Sequence, residues 1–236
     1  MGNAKFFAAK HALALVEDGM KLGLGTGTTS EEFVRQLAAR VRSGNLQIVA
    51  VATSERTRVL AEQCGLGISE LDRVGSLDLT VDGADEIDAE LNLIKGGGGA
   101  LLRERIVARS SARMVAIADS SKLVERLGVF PLPIEIVRFG AETTVRRIGS
   151  YLEDSGFGAV RGELRMVDGK PFASDENNLI VDWKLRRIND PFKTDRDLKC
   201  LTGVVETGLF AGVCESAIVG HEDGTVSTLA ASCGNG

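Results

Sequence analysis

The sequence predicts an α/β fold, with a parallel sheet flanked by helices and a second, smaller α/β domain. The first half alternates short strand-like runs rich in Val, Ile and Leu with helix-like segments, which is typical of a parallel sheet buried on both faces. Pro131 and Pro133 then mark a change of pattern, and the segment after them has the order strand, helix, two strands, helix, strand. We therefore expect a Rossmann-like sheet with a ferredoxin-like domain attached.

The larger domain begins with residues 1–20, where charged and apolar residues alternate at helical spacing. This segment lacks the apolar core of a signal peptide, and no stretch approaches the roughly 20 apolar residues of a membrane span. We expect an amphipathic helix there and no membrane partner. The candidate strands that follow are 21–25, 47–54, 77–83, 91–96 and 113–119, and the candidate helices are 29–42, 55–64, 100–110 and 121–127.

The smaller domain is predicted to span residues 131–208, so the larger one comprises residues 1–130 plus 209–236. Two strand-like pieces in the tail are expected to return to the first sheet. The predicted elements from residue 131 onward are a strand at 134–138, a helix at 141–155, two strands within 166–185, a helix at 193–201, a strand at 204–210, and the tail strands at 215–220 and 224–230.

Composition excludes several classes of function. The net charge is −5, with 28 Lys and Arg against 33 Asp and Glu, which argues against nucleic acid as a partner. The four cysteines are widely spaced and there are only two histidines, so a structural zinc site has almost no ligands available. We expect reduced thiols and a cytoplasmic protein.

Ligands of an open parallel sheet collect at the carboxyl ends of its strands. The first such loop, GTGTTS at 25–30, combines glycines, the hydroxyls of Thr26, Thr28 and Thr29, and the start of a helix, which together favour phosphate. A dinucleotide fingerprint would require glycine at position 28, and the Gly-Lys pair of a P-loop is missing. An ordinary strand-to-helix turn remains the alternative for this loop.

The third strand leads into VDGADEID at 81–88, where Asp82 and Asp85 flank a Gly-Ala turn. Carboxylates at this edge can accept hydrogen bonds from sugar hydroxyls, or hold a divalent metal ion. We favour the sugar because Lys95 would neutralise the charge that a cation needs. Simple turn formation is the remaining alternative.

Lys95, four glycines and Glu104 follow in LNLIKGGGGALLRE at 91–104. Without other information, this segment indicates a tight turn before a solvated helix. After the next strand, Lys122 is expected in the first turn of a helix capped by Ser120, where its charge opposes the helix dipole. An anionic ligand would relieve that opposition.

Together these loops offer hydroxyls, amides, two lysines, two aspartates and a glutamate, which suits an anionic sugar and a proton transfer beside a carbonyl. Glu104 is the candidate base and Lys95 the cation beside the developing oxyanion. Exclusion of water would raise the pKa of Glu104 toward roughly 6 to 7.

The segments GLGTGTTS, TVDGADEID, LIKGGGGALLRE and IADSSKLV, in this order and spacing, resemble the type A ribose-5-phosphate isomerase family. The resemblance implies a Rossmann-like sheet with a smaller lobe. It implies an aldose-ketose isomerase of the pentose phosphate pathway that interconverts D-ribose 5-phosphate and D-ribulose 5-phosphate through a 1,2-enediolate. It also implies that no metal or organic cofactor is used and that the chain forms a homodimer or homotetramer.

The resemblance also implies a role for each matched segment. Glu104 corresponds to the proton-shuttling base, and Lys5 in the first helix is a further candidate contact of the phosphate. It assigns Lys122 as a further contact of the substrate. The residues that it assigns to the phosphate and substrate loop are Thr26, Gly27, Thr28 and Thr29, those that it assigns to the sugar hydroxyls and ring opening are Asp82, Gly83, Ala84 and Asp85, and those that it assigns to the segment closing over the reactive carbons are Lys95, Gly96, Gly97 and Gly98.

Three other functions remain as alternatives. A sugar-phosphate sensor without turnover would usually carry a DNA-binding segment. An amino-sugar phosphate deaminase or isomerase would be expected to use a histidine, for which only His11 and His221 are available. A nicotinamide dehydrogenase is disfavoured by the broken fingerprint.

Overall fold

The computed structural model describes residues 2–44 and 46–230, so the predicted tail of the larger domain at 231–236, with Cys233, lies outside the described residues. In this part of the chain no helix is long and apolar enough to cross a membrane. The helices are α1 (Gly2–Leu13), α2 (Thr28–Arg42), α3 (Glu55–Gln63), α4 (Leu71–Val74), α5 (Leu101–Arg109), α6 (Ala141–Leu152) and α7 (Pro191–Lys199).

The strands form a large sheet, a small sheet and two minor ones. They are β1 (Lys21–Leu24), β2 (Val49–Ala52), β3 (Leu77–Gly83), β4 (Glu86–Ile87), β5 (Leu93–Ile94), β6 (Ser111–Asp119), β7 (Leu132–Ile136), β8 (Gly162–Leu164), β9 (Met166–Val167), β10 (Lys170–Pro171), β11 (Leu179–Trp183), β12 (Val204–Thr207), β13 (Leu209–Phe210), β14 (Ser216–Gly220) and β15 (Val226–Ala230).

The large sheet has the order β15-β14-β6-β3-β1-β2, and only the edge strand β15 runs antiparallel to its neighbour. Its apolar side chains alternate between two cores. Leu24 and Val115 pack with α1 and α2 on one face, whereas Met114 and Ala116 pack with Ala108 of α5 on the other. The predicted parallel sheet with helices on both faces is confirmed, and both tail strands join it.

A three-stranded antiparallel sheet of β4, β5 and β13 lies beside this large sheet. The sequence correctly predicted a strand near 91–96, but its assignment to the parallel sheet was wrong. Asp88 accepts hydrogen bonds from the amide of Asn92, and Leu91 has φ 60, so the chain reverses tightly and β5 pairs back on β4. Next to this strand, the amide of Lys95 donates to the carbonyl of Gly208 over 2.9 Å.

The small sheet has the order β12-β7-β11-β8, with each neighbouring pair antiparallel. Its core includes Ile134, Val181 and Trp183, which pack against Ile148 of α6 and Leu198 of α7. This strand and helix order is the predicted ferredoxin-like arrangement. The boundaries at 131 and 208 remain a prediction.

The predicted helix at 121–127 is wrong. Only a single 3-10 turn forms, at Ser120–Lys122. Leu123 is extended and forms a β-bridge with Ile87, and the amide of Val124 donates to the carbonyl of Ile87. The backbone of β4 thus accepts the hydrogen bond that a carbonyl of the same helix would otherwise accept. Helix α4 had not been predicted.

Candidate active site

The four motif loops converge on one cavity of about 130 Å³ at the carboxyl edge of the large sheet. One lining residue, Lys5, lies outside the four motif segments, and another, Asp119, lies within the last of them but had not been assigned to the site. The cavity is lined by Lys5, Thr26, Gly27, Thr28, Thr29, Gly83, Ala84, Asp85, Lys95, Gly96, Gly98, Glu104, Asp119 and Lys122.

A buried ionic triad forms the floor of this site. Lys95 Nζ lies 3.0 Å from Asp82 Oδ2 and 3.0 Å from Glu104 Oε1, and it donates to the Gly83 carbonyl over 2.6 Å. The three charged side chains are at most 4% exposed. Since charges so deeply buried need partners, removing Lys95 would leave two buried carboxylates without a counter-charge.

Asp82 was predicted to contact the substrate, but it does not line the cavity. It is fully buried behind Lys95, and its Oδ1 accepts the amides of Thr26 and Gly83 at 3.0 and 2.7 Å. A Cβ atom on Gly25 would lie 2.1 Å from that same oxygen, so glycine is required there. Asp82 therefore acts on the site through Lys95 and through the backbone of two lining loops.

Burial raises the pKa values of both carboxylates of this triad, but it does not decide that of the lysine. It raises the pKa of Glu104 from 4.5 to about 8, with Lys95 opposing the rise and Asp82 adding to it. Burial likewise raises the pKa of Asp82. For Lys95 burial alone would lower the pKa, but the two carboxylates reverse this and raise it. The lysine is therefore a permanent cation, and Glu104 titrates near neutrality.

The two carboxylate oxygens of Glu104 differ. Oε1 accepts the hydrogen bond from Lys95, whereas Oε2 is buried and has no hydrogen-bond partner among the described residues. Glu104 lines the cavity, and it lies in the first turn of α5, the helix that follows the glycine run. One oxygen is thus fixed by a cation and the other is free to accept a proton.

Helix α2 begins at Thr28, and no side chain caps its first turn. Gly27 precedes it with φ 107, a conformation that favours glycine, and the exposed end of the helix faces the cavity. Lys5 of α1 donates to Thr28 Oγ1 over 2.8 Å, and Lys122 lines the same cavity. A helix amino terminus with two ammonium groups is a favourable site for a phosphate dianion.

The Thr26 hydroxyl was expected to serve this anion site, but it points elsewhere. It makes hydrogen bonds to the hydroxyls of Thr53, Ser54 and Thr57 at 2.7, 2.8 and 3.2 Å, in a buried cluster behind the loop. Thr57 in turn donates to the Gly25 carbonyl over 2.9 Å. Thr26 thus anchors the loop, and Thr28 and Thr29 remain as the hydroxyls that line the cavity.

The glycine run curves around Asp85. The amide of Gly97 donates to Asp85 Oδ2 over 2.7 Å, and a Cβ atom on Gly97 would lie only 2.6 Å from Asp85 Oδ1. Gly96 has φ 97, and Gly98 lies against the methyl group of Thr26. Gly97 itself does not line the cavity, but its amide orients a carboxylate that does.

Asp119, which had not been predicted, ends β6 and lies at the cavity. Its carboxylate accepts the amide of Ser121 at 3.1 Å and also the hydroxyl of Ser121. Asp119, rather than Ser120, therefore caps the turn that presents Lys122. Its place at the end of a parallel strand was the signal that could have identified it.

The described residues contain no group of three or more His, Cys, Asp or Glu side chains that could hold a metal ion. In particular, the carboxylate pair of Asp82 and Glu104 is already bridged by Lys95. The cavity is instead lined by a helix amino terminus, two further ammonium groups, and the buried pair of Lys95 and Glu104.

Comparisons with known proteins identify the family of this chain. The sequence model of a family described as ribose 5-phosphate isomerase A (phosphoriboisomerase A) matches residues 49–224. Ribose-5-phosphate isomerase A of Dinoroseobacter shibae is 51% identical over 223 residues, covering 94% of this chain and 86% of that protein. The protein of the same name from Cereibacter sphaeroides strain KD131 is 50% identical over 224 residues, covering 95% and 86%.

Solved structures give the same result. Ribose 5-phosphate isomerase from Plasmodium falciparum superposes with a TM-score of 0.90 at 37% identity, covering 96% of this chain and 97% of that one. A D-ribose-5-phosphate isomerase in complex with phospho-erythronic acid gives 0.88 at 37% identity, with the same coverage. By sequence and by structure, this chain belongs to the ribose 5-phosphate isomerase A family.

Proposed function

We propose that this protein interconverts D-ribose 5-phosphate and D-ribulose 5-phosphate through a 1,2-enediolate, with Glu104 carrying the proton between the two carbons. The observation that supports this most directly is the state of the Glu104 carboxylate. One of its oxygens is bound to Lys95, the other is buried without a partner, and the side chain lines the cavity. Membership of the family supports isomerisation of ribose 5-phosphate.

The phosphate binds at the amino terminus of α2, between Lys5 and Lys122. This end of the substrate does not react, so its binding energy can hold the sugar in position for the chemistry. Binding of the phosphate at this place also determines which carbons of the sugar face Glu104.

Starting from the open-chain aldose, Glu104 Oε2 removes the proton from C2. The electrons of that C–H bond form the C1–C2 double bond, and the former carbonyl oxygen on C1 becomes an oxyanion. The same carboxylic acid then returns its proton to C1, while the proton of the C2 hydroxyl passes to the oxyanion on C1, so that the C2 oxygen becomes the carbonyl of the ketose. A carboxylate whose pKa is raised to about 8 suits both directions of this transfer.

Lys95 stabilises the negative charge that develops on the enediolate oxygens. Its ammonium is buried and already oriented by Asp82 and the Gly83 carbonyl, so little reorganisation is needed during the reaction. Asp85, which also lines the cavity, accepts hydrogen bonds from the sugar hydroxyls and assists ring opening. Since protein side chains supply both the base and the cation, this mechanism requires neither a metal ion nor an organic cofactor.

A structural relative offers chemical support for this scheme. That isomerase was solved in complex with phospho-erythronic acid, a four-carbon sugar acid phosphate. Its planar carboxylate resembles the planar, anionic end of an enediolate, and its phosphate matches the other end of the substrate. The homodimer or homotetramer and the place in the pentose phosphate pathway remain predictions from the resemblance, and the cytoplasmic location remains a prediction from the widely spaced cysteines.

The test is to incubate the purified protein with ribose 5-phosphate in D₂O with EDTA present, and to follow ribulose 5-phosphate and deuterium at C1 and C2. We expect turnover that is insensitive to chelation, with solvent deuterium entering the product. Binding of the sugar phosphate without turnover would instead indicate the sensor function. Turnover that stops on chelation would exclude the metal-free mechanism.

A further inference from the structure

A single peptide group in the glycine run is held from both sides by charged side chains. It joins Gly96 to Gly97. Its carbonyl oxygen, on Gly96, accepts a hydrogen bond from Arg165 Nη1 over 2.7 Å, and its N–H, on Gly97, donates to Asp85 Oδ2 over 2.7 Å. The cation and the carboxylate therefore act on opposite ends of one rigid amide plane.

Arg165 comes from the small sheet rather than from the lobe that carries the base. It follows β8, and its guanidinium forms an ion pair with Asp182 of β11 through two nitrogens. The Arg165 side chain is 14% exposed and that of Asp182 is 23% exposed, so this is a largely desolvated, bidentate pair. A second bond, from Nη1 to the Gly97 carbonyl at 3.3 Å, fixes the following peptide as well.

We propose that Arg165 is a positioning residue for the isomerisation, acting through the Gly96–Gly97 peptide to hold the Asp85 carboxylate toward the sugar. The chain of contacts runs from Asp182 to Arg165, then through the peptide to Asp85, which lines the cavity. This inference rests on the proposed function, because Asp85 is the group that meets the substrate.

Two further points support this coupling between Arg165 and Asp85. A bonded cation draws electron density toward a carbonyl oxygen and strengthens donation from the N–H of the same amide. An added Cβ atom on Gly97 would lie only 2.6 Å from Asp85 Oδ1, so the peptide and the carboxylate are closely packed. The small sheet therefore contributes to the active site although none of its residues lines the cavity.

The test combines Arg165→Met with Asp85→Asn in a double-mutant cycle, using kcat/KM for ribose 5-phosphate as the readout. The matched control is Lys184→Met, which removes an exposed ion pair with Glu163 on the same sheet. We expect Arg165→Met to lower kcat/KM by roughly 10- to 100-fold, as for a misplaced substrate-contacting group, and Lys184→Met to leave it unchanged.

In the Asp85→Asn background, Arg165→Met should have less than about a twofold effect, because its action passes through that carboxylate. The Gly97 amide proton, observed by NMR, should move upfield in Arg165→Met.

If Arg165→Met unfolds the chain, Asp182→Asn, which keeps the arginine, should show the same pattern with a smaller loss. An inactive parent would contradict the proposed function itself. With an active parent, full additivity in the cycle or an effect no larger than that of Lys184→Met would overturn the role of Arg165.

Discussion

The ammonium group of Lys5 lies 2.8 Å from Thr28 Oγ1, although 23 residues separate the two in sequence. Helix α1 thus reaches across to the loop after β1 and adds a positive charge where the first turn of α2 is open. The four motifs that identified the site contain no residue of this helix.

Replacing Lys5 with methionine should raise KM for ribose 5-phosphate by about 10- to 100-fold with a smaller change in kcat, because a charged hydrogen-bond partner of the phosphate is lost. Lys122→Met should act in the same direction. Lys10→Met, an exposed lysine on the same helix, is the control and should keep the parental KM. An unchanged KM in Lys5→Met would remove Lys5 from the phosphate site.

Glu104→Gln should lower kcat by at least about 10²-fold with little change in KM, since glutamine fills the same space but cannot accept the C2 proton. Steady-state kinetics measure both values. Glu90→Gln, at an exposed carboxylate in the turn before β5, should behave as the parent. A Glu104→Gln variant within a factor of two of the parent would show that another group is the base.

The pH profile of kcat/KM should have an acidic limb governed by Glu104. The base must be ionised in the free enzyme, and its pKa is raised to about 8, so kcat/KM should rise with pH through about pH 8. The charge of Asp82 contributes to that rise, so Asp82→Asn should move the limb to lower pH. If the acidic limb stayed at the same pH or moved to higher pH in Asp82→Asn, the charge of Asp82 would not be raising the pKa of Glu104.

Stability should depend on pH through the same group. The folded chain holds a proton on Glu104 up to about pH 8, whereas an unperturbed carboxyl of pKa 4.5 has released it long before. Between these values the folded state binds more protons than the unfolded state, so stability should fall as pH rises from about 4.5 through about 8. Urea denaturation across this range should show a shallower decline for Glu104→Gln. An equal decline would assign the effect to other groups.

Gly97→Ala should lower kcat/KM by displacing Asp85, because the added Cβ atom would lie 2.6 Å from its Oδ1. We expect a loss of roughly 10-fold or more. Gly67→Ala is the matched control: Gly67 is exposed, and no atom lies within 4 Å of an added Cβ. Kinetics and thermal melts of both variants separate the local effect from a general loss of stability. Equal activity in the two variants would show that Asp85 tolerates the displacement.

The sequence pattern predicted the parallel sheet well because β1, β3 and β6 are largely buried and rich in apolar residues. The pattern could not assign residues 91–96 to the correct sheet, because an apolar run does not indicate which strand it pairs with. The helix predicted at 121–127 failed for a similar reason, because Leu123 bridges Ile87 across the chain. Local propensity is overridden when a tertiary partner takes up the backbone hydrogen bonds.

Within the site, residues adjacent to strand ends could be predicted, but the directions of their side chains could not. The Thr26 hydroxyl turns into a buried cluster whose other members follow β2, and Asp82 lies behind Lys95 instead of beside the cavity. Arg165 carries no local motif at all. Its contribution depends on how the small sheet meets the glycine run, a long-range relationship that spacing along the chain does not contain.

The hydrogen bond from the Lys95 amide to the Gly208 carbonyl joins segments that leave the ribosome at very different times. The neighbouring strand β5 lacks its partner β13 until residue 210 has been made, and β6 lacks β14 for longer still. A nascent chain that contains every motif of the active site is therefore still incomplete as an enzyme. Folding of the catalytic lobe therefore requires the segment that carries β13 and β14, although that segment contains none of the four motifs.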